Sequence, residues 1–585
     1  MNEVARTGTG QPKATKPSPR VIWLYLLIFA AAVITFAPIC SHPFLSWDDD
    51  HTIENNPLLQ DPSLGHALHY WCEPFMDLYV PVTYTLWSAL AGISTFVTHG
   101  QLDPRLFHAA SVLLHATNAA LVFWLLRRLL NAPWPAAAGA MLFALHPVQV
   151  ETVAWTSGMK DLLCATFTLL AVTQYLLSLD SQKKPRRRRV HYALGLAAML
   201  LGMLSKPTAM VTPLLIVTID LLMLRRPWQA VIRSAWPFFL LATPCMAWTK
   251  FFQPQETLNA GPLWRRPLVA ADAIAFYFYK ILFPLRLTYD YGRNPAAVWK
   301  NGWIWWTWLV PATAAAGLWY FRQRVRPLVA ASLLLVAGVA PVLGLIPFDY
   351  QLVSTVADHY LYIAMLGPAL AAAWAVTLMK PRIAISASVL VLGLLAVRTA
   401  DQQRYWRDSE TMFVHAIDLN PESWMSFFKL GYLSQNEGQR LRDDADKKSL
   451  LRLEVVQERQ EAKGAFATAA EFYAEAIALN PNSVISYHNY AVTLMYFGRY
   501  PEAADALTQV MRRQRLLPSA DRHKYNDDAD LLGQCLFNLG RYVEAARVFD
   551  AARHMNPAPA LAEEHFRRAL AAAQSSGRKT VTDSR

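Results

Sequence analysis

Between residues 21 and 397, apolar runs of about 20 residues recur, each long enough to cross a bilayer core as a helix. Backbone polar groups in hydrocarbon must be satisfied within the segment, so runs of this length imply an all-α fold. Short basic stretches separate them: Arg127-Arg128, the KKPRRRR run from Lys183 to Arg189, Arg225-Arg226, Arg322 to Arg326 and Lys380 to Arg382. Basic residues collect on the cytoplasmic side of a membrane, so these stretches set the topology. They also hold much of the net charge of +12, which otherwise invites a nucleic-acid reading. No nucleic-acid partner is expected.

The run from Val21 to Ile39 is too long for a signal-peptide core and lacks a convincing cleavage site. It is expected to be the first span, with residues 1–20 as a cytoplasmic tail. Later spans follow at residues 106–126, 134–150, 162–179, 190–204, 208–224, 231–249, 303–321, 328–346, 361–379 and 383–397, about eleven in all. Val80 to Val97 and Ala270 to Leu285 are apolar too, but counting either as a span would turn the basic runs outward. Both are expected as half-passes on the outer face. The membrane domain thus covers residues 21–397, with a first outer loop at 41–105. Five cysteines form no CxxC pair and no metal spacing.

From residue 398 the pattern turns polar, helical and repetitive. FGRYPEAADAL (Phe497 to Leu507) and LGRYVEAARVF (Leu539 to Phe549) are closely matched blocks, preceded by Tyr490-Ala491 and Leu532-Gly533, with Leu430-Gly431 opening an earlier unit. Gly498 and Gly540 turn between paired helices, and Pro421, Pro481 and Pro557 end units. This resembles the tetratricopeptide repeat, an α-solenoid whose groove commonly holds a peptide. The repeats are expected over 398–576, with a charged insert at about 440–463 separating the first pair, and a disordered tail at 577–585.

In this topology polar residues gather at outer helix ends. Asp48, Asp49 and Asp50 stand in WDDDHTIENNP; His146 and Glu151 in HPVQVE; Lys160 and Asp161 open a span; Lys206 lies between two spans; Arg286 and Arg293 follow the second half-pass; Asp358 and His359 precede the tenth span. A carboxylate at a membrane surface can serve as general base on a hydroxyl. A second carboxylate beside it can hold a metal or raise its partner's proton affinity. Bases nearby can neutralise a departing phosphate. Asp48 is expected as the base, with Asp49 as its partner or as a metal ligand. Lys206, Arg293 and His359 are expected to meet the donor phosphate. His146, Glu151, Lys160, Asp161 and Arg286 are supporting polar groups, and Asp50 is a helix cap. No metal site is assigned, and a divalent ion is left open.

The stretches WDDDHTIENNP, YVPVTYTLWSA, LFHAASVLLHATNAALVFWLLRRLL, LFALHPVQVETVAWTSGMKDLL, LGMLSKP, YKILFPLRLTYDYG and ADHYLYIAMLG, followed by the repeats, resemble the transmembrane-and-tetratricopeptide-repeat family of protein O-mannosyltransferases and its bacterial relatives, in the glycosyltransferase-C superfamily. The resemblance implies a glycosyltransferase-C-like membrane domain and an inverting transfer of sugar from a polyprenyl-phosphate donor. The acceptor is a protein hydroxyl on the non-cytoplasmic face, held by the repeats. It places the catalytic acidic pair at Asp48 and Asp49 and matches Glu151 and Asp161 to acidic positions. Two departures follow. Pro207 replaces an acid after Ser205-Lys206, and His359 stands where an Arg is expected, which makes phosphate binding there pH-dependent near 6.5. The implied location is a bacterial inner membrane with periplasmic repeats. A non-catalytic scaffold for envelope proteins and a glycan ligase or polymerase are the alternatives.

Overall fold

The computed structural model describes residues 19–76, 78–181, 183–252, 262–450, 455–514, 527–555 and 559–582. Most of the tail expected at 1–20, together with Pro557 and residues 583–585, lies outside them. The described residues are helical, with a single antiparallel bridge between Phe75 and Leu78. Among the described residues four helices are long and apolar enough to cross a membrane: Pro19–Ser41, Pro104–Leu130, Thr156–Asp180 and Pro381–Trp406. Shorter apolar helices, among them Pro133–Leu145, Arg326–Val342 and Leu366–Thr377, pack between them.

Helix ends alternate between two levels. Tyr25 packs edge-on against Phe123, Arg128 pairs with Asp180 at 2.5 Å and Arg226 donates to Tyr175, so the basic stretches at 127–128, 183–189 and 225–226 share one end. At the other end His108 meets the Pro43 carbonyl at 3.4 Å, and Gln403 and Thr399 donate to the carbonyls of Thr35 and Leu145. The helix Pro81–Thr98 begins at this second end, where the Thr83 hydroxyl donates to the Ser205 carbonyl. It returns through Asp103 to the start of Pro104–Leu130. The helix Arg266–Leu282 finishes there too, with the Ile281 carbonyl on His146. Both helices expected as half-passes therefore have an end at the level that carries the acids.

Small residues set the closest helix approaches. A Cβ on Gly139 would meet the Ala369 carbonyl, and one on Gly367 the Ala331 carbonyl, so the helices Pro133–Leu145, Leu366–Thr377 and Arg326–Val339 lie nearly backbone to backbone.

Several boundaries differ from expectation. The third span ends at Leu145 because Pro147 blocks its continuation, and residues 146–158 form a separate wedge of short helices. The helix Pro185–Met203 starts inside the basic run, since proline suits a first turn and arginine is a good helix former. The last apolar helix, Pro381–Gln403, runs past 397, with Arg398 bonded to the Pro284 carbonyl.

The charged insert does not loop out. It lengthens both helices of the first pair, Trp424–Leu450 and Val456–Leu479, into a projecting hairpin. Arg440 pairs with Glu437 at 2.5 Å and Lys448 with Glu458 at 2.5 Å, while Ala445 and Ala462 fill the seam. Further pairs follow as Val484–Tyr496 with Tyr500–Gln514, then Asp527–Asn538 with Tyr542–Arg553. The last helix, Ala562–Thr582, extends into the stretch expected as a disordered tail.

The Leu-Gly positions have a steric cause. A Cβ on Gly533 would stand 2.5 Å from the Phe549 ring, and one on Gly431 would stand 2.8 Å from Tyr473. Gly533→Ala is expected to destabilise the repeats by about 1–3 kcal/mol through overpacking, read as a lower melting midpoint of the full chain.

Candidate active site

Asp48 has φ +70, a left-handed conformation that aspartate tolerates better than most side chains. Its carbonyl accepts from the backbone N–H groups of His51 and Thr52 and from the Thr52 hydroxyl at 2.8 Å, which fixes the turn. The residue is exposed, and among the described residues no hydrogen bond or ion pair holds its carboxylate. Asp49 is the opposite case. It is fully buried, and its two oxygens accept from the N–H groups of Ser157 at 2.8 Å and Leu45 at 3.2 Å. Burial pushes its carboxyl up to about 7 despite these bonds. Asp49 thereby ties the acidic loop to the wedge at 146–158, and Trp155 adds a 2.7 Å bond from its indole N–H to the Trp47 carbonyl.

Asp50 is not a cap. It opens the short helix Asp50–Glu54 after the N-cap position at Asp49; its Oδ1 accepts from the His51 N–H at 3.1 Å, and its buried Oδ2, without a hydrogen-bond partner, lies 3.6 Å from His51 Nε2 and 3.8 Å from Lys429 Nζ of the repeat domain.

Two lysines stand at helix ends beside the wedge, Lys160 at the start of Met159–Asp180 and Lys206 just before Pro207–Val211. Lys160 is nearly buried, with Nζ 5.6 Å from the Trp155 ring centroid, and forms no ion pair within 4 Å among the described residues. Lys206 Nζ lies 2.7 Å from both Asp161 oxygens and 5.7 Å from the Tyr360 ring. Its charge is thus largely offset by Asp161, whereas Lys160 has no such partner among the described residues.

Glu151 and His359 form a buried pair. Glu151 Oε2 accepts from the N–H groups of Asp358 at 2.9 Å and His359 at 3.3 Å, and Oε1 meets His359 Nδ1 at 2.6 Å. Burial pushes the Glu151 carboxyl up to about 8 and the His359 imidazole down to about 3. Both directions leave the pair one shared proton through the neutral range. This corrects the expectation of a cationic His359 switching near 6.5: the ring is committed to Glu151 and carries no charge of its own.

Arg293 is also corrected. Its guanidinium grips the buried Asp272 at 2.5 and 3.1 Å and stacks 4.0 Å from the Trp303 ring, so it is a neutralised structural pair. Arg286 is exposed, and its carbonyl, with that of Leu285, accepts from Lys280 Nζ at 2.8 Å. His146 is a satisfied helix-end ring: Nε2 donates to the Ile281 carbonyl at 3.0 Å and Nδ1 accepts from the Val148 N–H. Burial holds it down to about 4.

Sequence reasoning missed Asp272, Lys280, Trp155, Tyr291 and Lys429. Tyr291 donates to the buried Asp358 at 2.8 Å. Trp155, five residues before Lys160 in AWTSGMKD, was the most findable, because a tryptophan beside a lysine at a helix start can form a cation–π platform. Among the described residues no three His, Cys, Asp or Glu side chains are grouped to hold a metal ion.

A tetratricopeptide-repeat family model matches residues 472–505. The chain is similar to protein O-mannosyl-transferase TMTC4 of Homo sapiens, 29% identical over 177 residues, which is 28% of this chain and 24% of that protein. It is 27% identical over 243 residues to protein O-mannosyl-transferase Tmtc2 of Drosophila melanogaster, 38% of this chain and 25% of that one. It is 24% identical over 290 residues to protein O-mannosyl-transferase F38B6.6 of Caenorhabditis elegans, 46% and 39% respectively. The matches thus span about a quarter of the first of these relatives. Among solved structures, the crystal structure of ArnT from Cupriavidus metallidurans bound to undecaprenyl phosphate matches at 15% identity, covering 85% of this chain and 81% of that one, with a TM-score of 0.34. That score is too low to support any conclusion.

Proposed function

We infer that this chain, which resembles the transmembrane-and-tetratricopeptide-repeat protein O-mannosyl-transferases, is an inverting membrane glycosyltransferase. It moves a sugar from a polyprenyl-phosphate donor to a hydroxyl of a polypeptide on the non-cytoplasmic face. The chief support is convergence. An exposed carboxylate at Asp48, the buried Lys160 without an ion pair among the described residues, and the Lys206–Asp161 pair stand at the bundle end where the repeat domain begins.

In this mechanism Asp48 takes the proton of the acceptor hydroxyl as its oxygen attacks the anomeric carbon. The bond from that carbon to the phosphate oxygen breaks on the opposite face, giving inversion. Lys160, with Lys206 beside it, stabilises the phosphate that leaves with the lipid. The buried Trp155 ring backs Lys160 and ties the wedge to Trp47. Asp49 keeps the loop in place, and the Glu151–His359 pair holds the 358–361 turn against the wedge. The first repeat helices, next to the acidic loop, bring the acceptor to Asp48 from the water side.

The test is transfer of radiolabelled mannose from polyprenyl-phosphate mannose to endogenous polypeptides in membranes containing the full chain. Label in protein that appears only with the active chain supports the function. Label appearing only in polysaccharide would assign a glycan ligase or polymerase instead.

A further inference from the structure

The acidic loop is clamped from two sides, and one clamp belongs to the repeats. Lys429, on the helix Trp424–Leu450, reaches the loop with its Nζ 3.8 Å from Asp50 Oδ2; both side chains are about nine-tenths buried, at 11% and 6% exposure. That oxygen has no hydrogen-bond partner; the half-exposed His51 ring on its own loop lies 3.6 Å away, and Lys429 is the buried cation that reaches it from the repeats. The same ammonium lies 5.9 Å from the Trp47 ring centroid and 5.8 Å from that of Tyr432. Nearby, the Ser46 N–H donates to the Ser409 hydroxyl at 2.8 Å, and Trp47 packs against Tyr289 and Phe413. Between the two clamps sits Asp48 in its left-handed conformation, which persists only where the surroundings over-determine it.

We propose that Lys429 is a positioning residue for the acidic loop: through Asp50 it holds Trp47 to Thr52 and so sets the position of the Asp48 carboxylate. The repeat domain then completes the catalytic unit as well as holding the acceptor. This rests on Asp48 being the base, and it separates two roles of the repeats that act on different steps. A lysine that only binds acceptor affects transfer to protein. A lysine that places Asp48 also affects transfer to water, in which the bond from the anomeric carbon to phosphate breaks, water supplies the new oxygen and Asp48 receives the proton.

The experiment uses the full chain in phosphatidylethanolamine–phosphatidylglycerol vesicles with polyprenyl-phosphate mannose as probe. Lys429→Met is expected to lower kcat for both transfer to polypeptide and release of free mannose, on the order of 10- to 100-fold, with donor KM unchanged. Lys429→Arg restores both, because it keeps the charge and the stacking. Lys429→Met combined with Asp50→Asn recovers much of the loss, because no unpaired carboxylate is left buried. Hydrogen exchange of the amides from Trp47 to Ile53 is expected to quicken in Lys429→Met and to slow again in the double variant. Unchanged mannose release with only the acceptor KM raised would overturn the proposal, and so would unchanged exchange in the loop. Should the wild-type chain release and transfer no mannose, the glycosyltransferase function falls, and the exchange measurement alone decides whether Lys429 holds the loop.

Discussion

Asp48→Asn is expected to lower sugar transfer by roughly 10²- to 10⁴-fold, the usual contribution of a positioned general base. Protein abundance and melting midpoint should stay at wild-type values. The substitution suits the question because asparagine tolerates the left-handed backbone at φ +70 as well as aspartate does. The carboxylate is exposed and, among the described residues, held by no bond that the change would break, so little but basicity is lost. Transfer measured in membranes, with abundance checked by immunoblot, reads the outcome. Wild-type transfer by Asp48→Asn would remove this residue from the chemistry. Asp49→Asn differs, because its second side-chain position becomes a donor facing an N–H group, so it disturbs the loop as well as any reaction.

The second large effect concerns Glu151. Glu151→Ala is expected to destabilise the chain by about 3–5 kcal/mol, since it orphans two buried N–H groups and the His359 ring together. Glu151→Gln should be mild. With the carboxyl pushed up and the imidazole pushed down, the pair is a neutral acid donating to a neutral ring, and glutamine reproduces that donor while still accepting both N–H groups.

The sign of the pH effect follows. A carboxyl whose folded pKa lies above its unfolded value of about 4.3 gives stability that is fully present below 4.3 and declines as pH rises toward the folded pKa of about 8. Glu151→Gln removes that decline. Its melting midpoint relative to wild type should therefore rise from about pH 4.5 and level off above about pH 8. Equal damage from Gln and Ala, with no such rise, would mean that the pair is an imidazolium–carboxylate ion pair. His359 would then be a cation facing the site.

Much of the candidate site was legible because hydropathy and charge are local properties. The acids near residue 48, the Lys160-Asp161 step and Lys206 each sit where an apolar run stops, and a run must stop at water. Their shared level followed from the basic stretches at the alternate ends. The pairings were not legible. Lys206 is paired with Asp161, His359 with Glu151, Arg293 with Asp272 and Lys429 with Asp50, in each case from a different segment. An isolated lysine or histidine in a sequence looks like a free cation, because nothing local shows the carboxylate that neutralises it.

The sequence alone determined the helical class, the alternation of the spans, the repeats after the last apolar helix and the collection of acids at one end. All of these follow from composition within windows of a few turns. Tertiary structure alone decided which carboxylate stays exposed, which cation stays unpaired and which repeat residue touches the acidic loop. The reason is that solvation and charge compensation depend on what lies within about 4 Å in space. Packing of distant helices sets that distance, and periodicity along the chain does not.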